Sequence, residues 1–397
     1  MAGAWLVAAC SPGGTASPAG PRPTPAPTIG PAPTPSPAPT ASPVPTTSAA
    51  ALRRKIGRML MVGFRGTTLD ADTPVSLAIA AGELGGVILF DRDGLTGTAG
   101  RNITAPEQLV ALTSALRTAA LGGPTGPELL IAVDQEGGKV ARLNPSNGYP
   151  ATESQADLGA AGDLDHTTDV ATLTAITLVG AGIDVNLAPV VDVNVNPTNP
   201  AIGALDRSFS ADPEVVVAQA TAVIEAQQGA GIRCVVKHFP GEGSATGNTD
   251  EGIVDVTATW TDVELEPFRA LIEAGLPAAV MVGHIRNGRL DPGRPASLSA
   301  ATVTGLLRDE LGWTGVVVSD DLQALAITQA YGADEAIALA IEAGVDLLLF
   351  ANQQVYDEQV VEHAIATIVE LVDSGRIGEA RLDESVARIE ALFATVE

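Results

Sequence analysis

The sequence predicts a single TIM-like (β/α)₈ barrel over residues 49–397, preceded by a long segment that does not fold. Three features predict this fold: eight short apolar runs, helical patterns between them, and a polar residue close behind each run. Continuous apolar runs are typical of strands buried on both faces, as in parallel sheets. Such strands, alternating with helices over a domain of this length, indicate a barrel. A doubly wound sheet fits less well, because no Gly-rich turn follows the first run.

The N-terminal segment is expected to anchor and space the domain. Residues 6–10 resemble a bacterial lipobox, in which the Cys, here Cys10, is lipidated and becomes the mature N-terminus. The apolar stretch before Cys10 is short and lacks a basic residue, so we expect the precursor to start elsewhere. A chance Cys in an unfolded tail is the alternative. Residues 11–48 are mostly Pro, Thr, Ala, Ser and Gly, which predicts a disordered, extended spacer. We therefore expect an extracytoplasmic protein, lipid-anchored to the outer face of the bacterial cell membrane.

The charge balance excludes one class of partner. The chain carries 22 Lys and Arg against 47 Asp and Glu, a formal net charge of −25 at pH 7. So acidic a surface repels phosphate backbones, and we expect no nucleic-acid partner. No apolar run reaches the roughly 20 residues that a transmembrane helix needs. The two cysteines do not make a disulfide framework, and Cys234, in an apolar run, is expected to be a buried thiol.

The order of elements follows from the same patterns. The candidate strands are residues 59–64, 86–90, 129–133, 184–189, 232–237, 279–283, 315–319 and 346–350. The candidate helices between them include residues 106–121, 213–229, 262–274 and 300–311. Several helical segments begin with Thr, Ser or Asp and stop at Gly, which is the usual chemistry of helix caps.

Polar side chains follow every predicted strand. In chain order they are Arg65, Asp91, Asp134, Asp192 with Asn194, Lys237 with His238, His284, Asp320 with Asp321, and Asn352. Because the carboxyl ends of barrel strands converge on the face that carries catalysis, we expect these groups to form a ring there. Carboxylates among Arg, Lys, His and Asn donors are what a sugar site requires. The donors hold hydroxyls, and a carboxylate stabilises the cationic transition state.

Other chemistries are less favoured. His166 and His363 lie in helical stretches, and no paired-His or Cys-x-x-Cys spacing occurs. We therefore expect no metal and no cofactor. No Gly-x-Ser-x-Gly elbow is present, which argues against an α/β-hydrolase.

Four motifs occur in order along the predicted barrel. They are Asp134-Gln135-Glu136-Gly137-Gly138-Lys139-Val140-Ala141-Arg142, Arg207-Ser208-Phe209, Lys237-His238-Phe239-Pro240-Gly241 and Ser319-Asp320-Asp321-Leu322. Together they resemble glycoside hydrolase family 3, in particular its single-domain bacterial β-N-acetylhexosaminidases, which include lipoproteins. In the larger β-glucosidases of the family a second α/β domain supplies the acid/base. This chain ends with the predicted barrel, which favours the hexosaminidase branch.

The resemblance implies a role for each matched residue. Asp320 is expected to be the catalytic nucleophile, and its place at the end of a rigid strand independently aims it into the ring. The residues expected to bind the terminal sugar are Asp134, Arg142, Arg207, Lys237, His238 and His284. From the residues alone, Arg142 could be a surface charge and His284 a satisfied core histidine. Arg207 could instead pair with a neighbouring acid, Asp206 or Asp212.

One loop departs from the family pattern. The hexosaminidase branch usually carries Asp-Ser-His after the Lys-His-Phe-Pro-Gly strand, and that His is the acid/base. Here Asn248-Thr249-Asp250 falls at this place, and the loop contains no His. The Gly-His-Gly of the family is also altered, to Gly241-Glu242-Gly243.

We predict that Asp250 is the acid/base, with a pKa raised by the site so that it donates a proton near neutrality. Alternatively, Glu242 or Glu251 swings in on the Gly-rich loop. A third possibility is that the acid is lost and only the sugar pocket is kept.

The predicted function is a retaining exo-β-N-acetylglucosaminidase that acts on small oligosaccharides containing N-acetylglucosamine, such as cell-wall muropeptides. The reaction proceeds through a covalent glycosyl-Asp320 intermediate. The alternatives are a β-glucosidase or β-xylosidase of the same family, and a catalytically impaired, lipid-anchored sugar-binding protein.

Overall fold

The computed structural model describes residues 48–123 and 129–394, together with the single residues Gly20, Thr24 and Gly30. Cys10 and nearly all of the predicted spacer therefore lie outside the described residues. A compact unit spans Thr47–Glu397. Its first helix, α1 (Ala49–Arg58), begins after the N-cap Ser48, whose side chain accepts a hydrogen bond from the Ala51 N–H at 3.3 Å.

Eight parallel strands form the centre of this unit. They are β1 (Leu60–Gly63), β2 (Gly86–Ile88), β3 (Leu130–Val133), β4 (Val185–Asn186), β5 (Arg233–Phe239), β6 (Ala279–Val282), β7 (Val316–Ser319) and β8 (Leu348–Phe350). They are hydrogen-bonded in the order β8-β1-β2-β3-β4-β5-β6-β7. A parallel bridge between Val318 and Leu347 joins the two ends of this order. The predicted TIM-like (β/α)₈ barrel is confirmed.

Helices surround the barrel. After α1 they are α2 (Pro74–Ala81), α3 (Pro106–Leu121), α4 (Gln155–Ala161), α5 (Leu164–Gly180), α6 (Pro213–Gly229), α7 (Glu266–Glu273), α8 (Leu325–Thr328), α9 (Ala333–Ala343), α10 (Val360–Asp373) and α11 (Glu379–Ala394). The bounds predicted for α3 and α6 agree with the structure. The predicted helix at residues 262–274 is a 3₁₀ turn, Asp262–Leu265, followed by α7, and the one at 300–311 is a π-helix, Ala301–Glu310. None of the helices in the described ranges is long and apolar enough to cross a membrane.

The strands are held by the burial of their apolar side chains. Every residue of the eight strands is buried. Helices cover one face of the sheet and the packed barrel interior covers the other, as in parallel sheets generally. The strand β4 is shorter than predicted: it ends at Asn186, although the Leu187 N–H still donates to Val133 O at 2.9 Å. Cys234 in β5 is a buried free thiol, as expected, and burial raises its pKa.

A buried carboxylate ties together the amino-terminal end of the barrel. Asp346 is fully buried and accepts hydrogen bonds from Arg308 at 2.6 Å, from Arg388 at 3.0 Å and from the Val317 N–H at 3.0 Å. These bonds link the π-helix, α11 and β7 where the sheet closes. Structural ion pairs thus hold this end, whereas barrels of this kind place their chemistry at the opposite, carboxyl end.

Candidate active site

A cavity of about 710 Å³ opens at the carboxyl ends of the barrel strands. The carboxylates in its wall include Asp134, Glu136, Glu242, Asp250 and Asp320. A second cavity, of about 430 Å³, lies at the other end of the barrel, and none of its lining residues in the described ranges is Asp or Glu. The first cavity is therefore the candidate active site. Within the described ranges, no three His, Cys, Asp or Glu side chains form a group that could hold a metal ion.

A small hairpin directly after β3 brings charged side chains to the cavity. In it Gln135–Gly137 pairs with Val140–Ala141 in antiparallel register. Gly137 turns the chain with a φ of 103°, in the left-handed region that glycine adopts without strain. A Cβ at this position would come 2.1 Å from a backbone oxygen of the next loop. The turn holds Asp134 and Glu136 on one side, because residues two apart on an extended chain point the same way.

Five charged side chains alternate in sign along the cavity wall, and we call them the charge cluster. Lys237 in β5 donates to Asp134 Oδ1 at 2.7 Å and lies 2.8 Å from Glu136 Oε1. Arg142 donates to the other Asp134 oxygen at 3.2 Å. Arg207 holds Glu136 through two hydrogen bonds, of 2.7 and 2.8 Å. Arg207 thus pairs across the cavity wall and not with either of its neighbours in sequence, Asp206 and Asp212.

Pairing keeps the carboxylates of the charge cluster ionised. Burial alone would raise the pKa of Asp134, but the charges of Lys237 and Arg142 outweigh burial and lower it. In the same way, Arg207 and Lys237 outweigh burial and lower the pKa of Glu136. Ionised carboxylates accept hydrogen bonds from hydroxyls. Lys237 has three donors, of which the two acids take two, so one is left for a substrate oxygen.

His238 and Asp192 continue the same wall. The fully buried Asp192 accepts hydrogen bonds from His238 Nδ1 at 2.8 Å and from the His238 backbone N–H at 3.2 Å. This pair fixes the imidazole ring, whose Nε2 lies 3.4 Å from Arg207 Nη2. Burial alone would lower the pKa of His238, but the Asp192 carboxylate outweighs burial and raises it. His238 lines the cavity as a second donor for a sugar oxygen.

Asp320 follows β7 directly and is partly buried. Its backbone N–H donates to Val282 O at 3.0 Å, and its Oδ1 accepts from the Asp321 N–H at 2.8 Å. Burial alone would raise the pKa of Asp320, but the His284 and His238 rings outweigh burial and lower it. Asp320 therefore carries an ionised carboxylate at neutral pH, which is the state that a nucleophile needs.

His284 lies behind the cavity wall and is not among the residues that line the cavity. Its ring nitrogens lie 2.7 Å from Ser297 Oγ and 2.8 Å from Asp321 O. The structure therefore does not support the prediction that His284 binds the sugar, because both nitrogens have protein partners. It fixes the backbone beside Asp320 instead. The Asp321 side chain also holds backbone here, since its Oδ1 accepts from the Gln323 N–H at 3.1 Å and from the Ala351 N–H at 2.9 Å.

The loop that lacks the family's His is hydrogen-bonded to the segment that follows Asp320. The Asn248 side chain accepts a hydrogen bond from the Asp250 N–H at 3.0 Å. The backbone oxygens of Thr249 and Asp250 accept hydrogen bonds of 3.2 and 3.4 Å from two N–H groups at the start of α8. Since only a few residues separate α8 from Asp320, these hydrogen bonds hold Asp250 at the mouth of the cavity.

The three acid/base candidates occupy different settings in the cavity wall. Asp250 is exposed, yet the protein around its carboxyl and the charge of Asp320 raise its pKa. Glu251 is also exposed. Glu242 is buried, and burial raises its pKa to about 8. A general acid must be protonated near neutrality. Glu242 meets this condition. The pKa of Asp250 is shifted in the direction that an acid needs, and Asp250 stands at the position of the family's His.

The predicted polar ring is only partly realised at the cavity. Arg65 is paired with Asp93 at 2.7 Å and stacks on the Tyr356 ring at 3.9 Å, and it does not line the cavity. Asn352 is buried and donates to Gly63 O at 2.9 Å. The strand ends at β3, β5 and β7 supply the charged wall. Asn352 instead satisfies a buried backbone carbonyl, which buried backbone groups require.

The site role of Glu136 was not predicted, and neither was the contact that Asp192 makes. Glu136 had a usable signal, because it follows Asp134 by two residues in an extended motif and therefore shares its face. Asp192 was placed in the ring, but its bond to His238 joins residues 46 positions apart. No spacing in the sequence reveals such a pair.

Glu136→Gln should lower the free energy of unfolding by about 3 kcal/mol, because it leaves the partly buried Arg207 without its carboxylate partner. Urea denaturation at pH 7 measures the change. Glu153→Gln is the matched control, since Glu153 is exposed and pairs only with the exposed His166. It should change the free energy of unfolding by less than about 1 kcal/mol. Equal stability of Glu136→Gln and the wild type would contradict the buried pairing.

Comparison with known proteins agrees with this geometry. Residues 51–392 match the family model described as the glycosyl hydrolase family 3 N terminal domain. The chain is 34% identical over 346 residues to beta-hexosaminidase A of Pseudoalteromonas piscicida, a match that covers 82% of this chain and 55% of that protein. It is 35% identical over 334 residues to a beta-hexosaminidase of Xylella fastidiosa (strain M23), covering 81% of this chain and 92% of that protein.

Solved structures show the same relationship. A glycoside hydrolase family 3 beta-N-acetylglucosaminidase from Paenibacillus sp. str. FPU-7 superposes with a TM-score of 0.78 at 36% identity, over 87% of this chain and 62% of that chain. A beta-N-acetylhexosaminidase from Beutenbergia cavernae DSM 12333 does so with a TM-score of 0.76 at 33% identity, over 87% of this chain and 99% of that chain. This chain thus spans little more than half of the Pseudoalteromonas protein and nearly all of the Beutenbergia protein. It belongs to glycosyl hydrolase family 3 and carries that family's N-terminal barrel domain.

Proposed function

We propose that this protein is a retaining exo-β-N-acetylglucosaminidase that needs no cofactor. One observation carries the proposal: an ionised carboxylate, Asp320, shares a cavity with the charge cluster, which is suited to sugar hydroxyls. The names of the relatives, beta-hexosaminidases and beta-N-acetylglucosaminidases, support the choice of sugar. Lys237 and Glu136, which line the cavity, are buried.

In the first step of the proposed mechanism, the Asp320 carboxylate attacks C1 of the bound sugar. Asp250 gives its proton to the glycosidic oxygen as the bond from C1 to that oxygen breaks, and the rest of the substrate leaves as an alcohol. Positive charge develops on the sugar ring and is stabilised by Asp320. Retaining glycosidases that use two carboxyls place them about 5–5.5 Å apart for this step.

In the second step water replaces Asp320 at C1. Asp250, now a carboxylate, takes a proton from the water as its oxygen bonds to C1, and the bond between C1 and Asp320 breaks. Both residues return to their starting states, and two inversions at C1 preserve the β configuration. Throughout, the charge cluster and His238 hold the hydroxyls so that C1 faces Asp320, which is the positioning that accounts for much of enzymatic rate enhancement.

A panel of 4-methylumbelliferyl glycosides tests the proposed activity with the full chain. Release of the fluorophore from the β-N-acetylglucosaminide, with a β-configured first product by NMR, is the expected result. Release from the β-glucoside or β-xyloside alone would replace the proposal with the corresponding glycosidase. Saturable binding of N-acetylglucosamine with no turnover of any glycoside would make the protein a sugar-binding protein.

For the natural substrate we propose cell-wall muropeptides. A terminal β-linked N-acetylglucosamine is the sugar that the relatives' names indicate, and the predicted extracytoplasmic location would bring the enzyme to the wall. Disaccharide peptides prepared from purified wall should release free N-acetylglucosamine. Cleavage of the aryl glycoside but of none of these disaccharides would reject this substrate class.

We also propose that the protein is held at the outer face of the cell membrane by a lipid on Cys10. The lipobox-like residues 6–10 and the Pro-rich spacer after them support this layout. Fatty-acid labelling of cells should mark the protein and fail with Cys10→Ala, which should also leave the membrane fraction. A wild-type protein that takes up no label would exclude the anchor.

A further inference from the structure

Glu242 is a buried carboxyl with an unused oxygen in the wall of the active site. Its side chain is buried, and its Oε1 is shielded from solvent and has no hydrogen-bond partner among the residues that the structure describes. The residue nevertheless lines the cavity. Its backbone N–H donates to Asp192 Oδ1 at 2.8 Å, which fixes the chain at this point. A buried polar atom without a partner is destabilising by roughly 1–3 kcal/mol, so it points to a ligand that completes it.

The space for this carboxyl is made by a glycine. A Cβ at Gly283, immediately after β6, would come 2.2 Å from Glu242 Oε1 and 3.0 Å from His238 Cβ. Any side chain at that position would collide with the carboxyl. Glu242 therefore lies over the end of β6, and β6 is the strand between β5 and β7.

The Glu242 carboxyl lies between the wall that holds the hydroxyls and the nucleophile. His238, on β5, belongs to the wall that holds the hydroxyls, and Asp320 follows β7. In a pyranose ring, C2 lies between C3, which bears a hydroxyl, and C1, which Asp320 attacks. With C1 at Asp320 and the C3 hydroxyl at the β5 wall, the substituent on C2 lies over β6, beside Glu242.

The 2-acetamido group and the Glu242 carboxyl have complementary hydrogen-bond donors and acceptors. A 2-acetamido group has one N–H donor and one carbonyl acceptor, and a neutral carboxyl has one acceptor oxygen and one O–H donor. Burial raises the pKa of Glu242 to about 8, against the opposing effect of His238 and with the support of Asp192 and Asp320. Arg207 also acts to lower this pKa. The neutral form therefore predominates at pH 7.

We infer that Glu242 recognises the 2-acetamido group of the substrate and so determines the preference for N-acetylglucosamine over glucose. The inference rests on the proposed glycosidase activity and assigns one residue to the sugar's distinguishing substituent. Glu242 acts here as a binding group, and the proton needed at the glycosidic oxygen comes from Asp250.

Two substitutions separate this role from others. Glu242→Gln keeps one donor and one acceptor in a side chain of the same shape, whereas Glu242→Leu has neither. With the 4-methylumbelliferyl β-N-acetylglucosaminide, Glu242→Leu should lower kcat/KM by roughly 10²-fold, because it leaves the bound amide unpaired. Glu242→Gln should stay within about 10-fold of the wild type. On the matching β-glucoside, which lacks the amide, the loss in Glu242→Leu should be at least about 10-fold smaller than on the acetamido sugar.

Each other outcome overturns the assignment. If Glu242→Gln and Glu242→Leu lose activity alike on both glycosides, Glu242 donates the proton or supports the fold. If Glu242→Leu keeps its preference for the acetamido sugar, another group recognises that substituent. Thermal unfolding of the same samples identifies loss of fold. A wild-type enzyme that does not cleave the N-acetylglucosaminide at all would refute the proposed function itself, which is a separate result.

Discussion

Asp320→Ala should reduce kcat/KM on the 4-methylumbelliferyl β-N-acetylglucosaminide by roughly 10³–10⁶-fold, the range expected when a nucleophile is removed. The proposed reaction forms its intermediate on this carboxylate, and Asp134 and Glu136 cannot replace it, because both are held in ion pairs by Lys237. The KM should change little, since the charge cluster that binds the hydroxyls is intact. Steady-state kinetics on the full chain measure both constants.

A control variant and a labelling experiment test this prediction further. Asp309→Asn is the matched control, because Asp309 is an exposed carboxylate on the π-helix before β7 and should leave kcat/KM within about 2-fold. A slow 5-fluoro glycosyl substrate should add the mass of one sugar to the peptide that contains Asp320 in the wild type. A label on another carboxylate, or an Asp320→Ala enzyme with near wild-type turnover, would remove Asp320 from the role of nucleophile.

Asp250→Asn should have the second-largest effect, and the effect should depend on the leaving group. Loss of a general acid lowers rates by roughly 10²–10⁴-fold where the leaving alcohol needs a proton. A β-linked disaccharide needs this proton, whereas a nitrophenol leaves readily as its anion. The variant should therefore lose most of its kcat/KM on the disaccharide and retain kcat/KM on 4-nitrophenyl β-N-acetylglucosaminide, which reports the first step, within about 10-fold; kcat should fall on both, because Asp250 is also the base of the second step. Equal wild-type activity on both substrates would exclude Asp250 from the mechanism.

The pH profile of kcat/KM tests the same role for Asp250, because the direction of each pKa shift predicts on which side activity is lost. Asp250 must be protonated to act, and its pKa is raised, so kcat/KM on the disaccharide should fall as the pH rises through that pKa. Asp320 must be ionised, and its pKa is lowered, so the acid-side loss should lie below the usual pKa of an aspartate. Asp250→Asn should abolish the alkaline fall and keep the acid one. The comparison belongs in a Glu242→Gln background, so that titration of Glu242 does not contribute. An alkaline fall that persists in the double variant would assign the acid to another group, such as Glu251.

The fold was largely predictable because its signal is local. Each buried parallel strand must be apolar on both faces, so eight runs such as residues 279–283 and 315–319 are visible without any tertiary knowledge. Their bounds were less exact, as at β4, which ends at Asn186 and not at Pro189. The helix predicted at residues 300–311 forms a π-helix, which apolar periodicity does not distinguish from an α-helix.

The site was predictable where one residue acts from one strand end. Asp320, Asp134, Lys237 and His238 all reach the cavity wall from the positions that their strands give them. His284 occupies an equivalent strand end but does not reach the cavity wall, because its two ring nitrogens contact Ser297 and the backbone of Asp321. A strand-end position therefore places a side chain at the right face of the barrel but does not determine which partner it meets.

The sequence by itself determined the barrel, the order of its strands and the place of Asp320 at the end of β7, because hydrophobic burial and motif position are properties of contiguous residues. Only the tertiary structure decided which charges meet. Arg207 and Glu136 are 71 residues apart and join only when the barrel closes. Closure of the barrel likewise buries Glu242 beside Asp192. Removal of the Glu242 carboxyl from water raises its pKa, and the residues adjacent to Glu242 in the sequence do not reveal this burial.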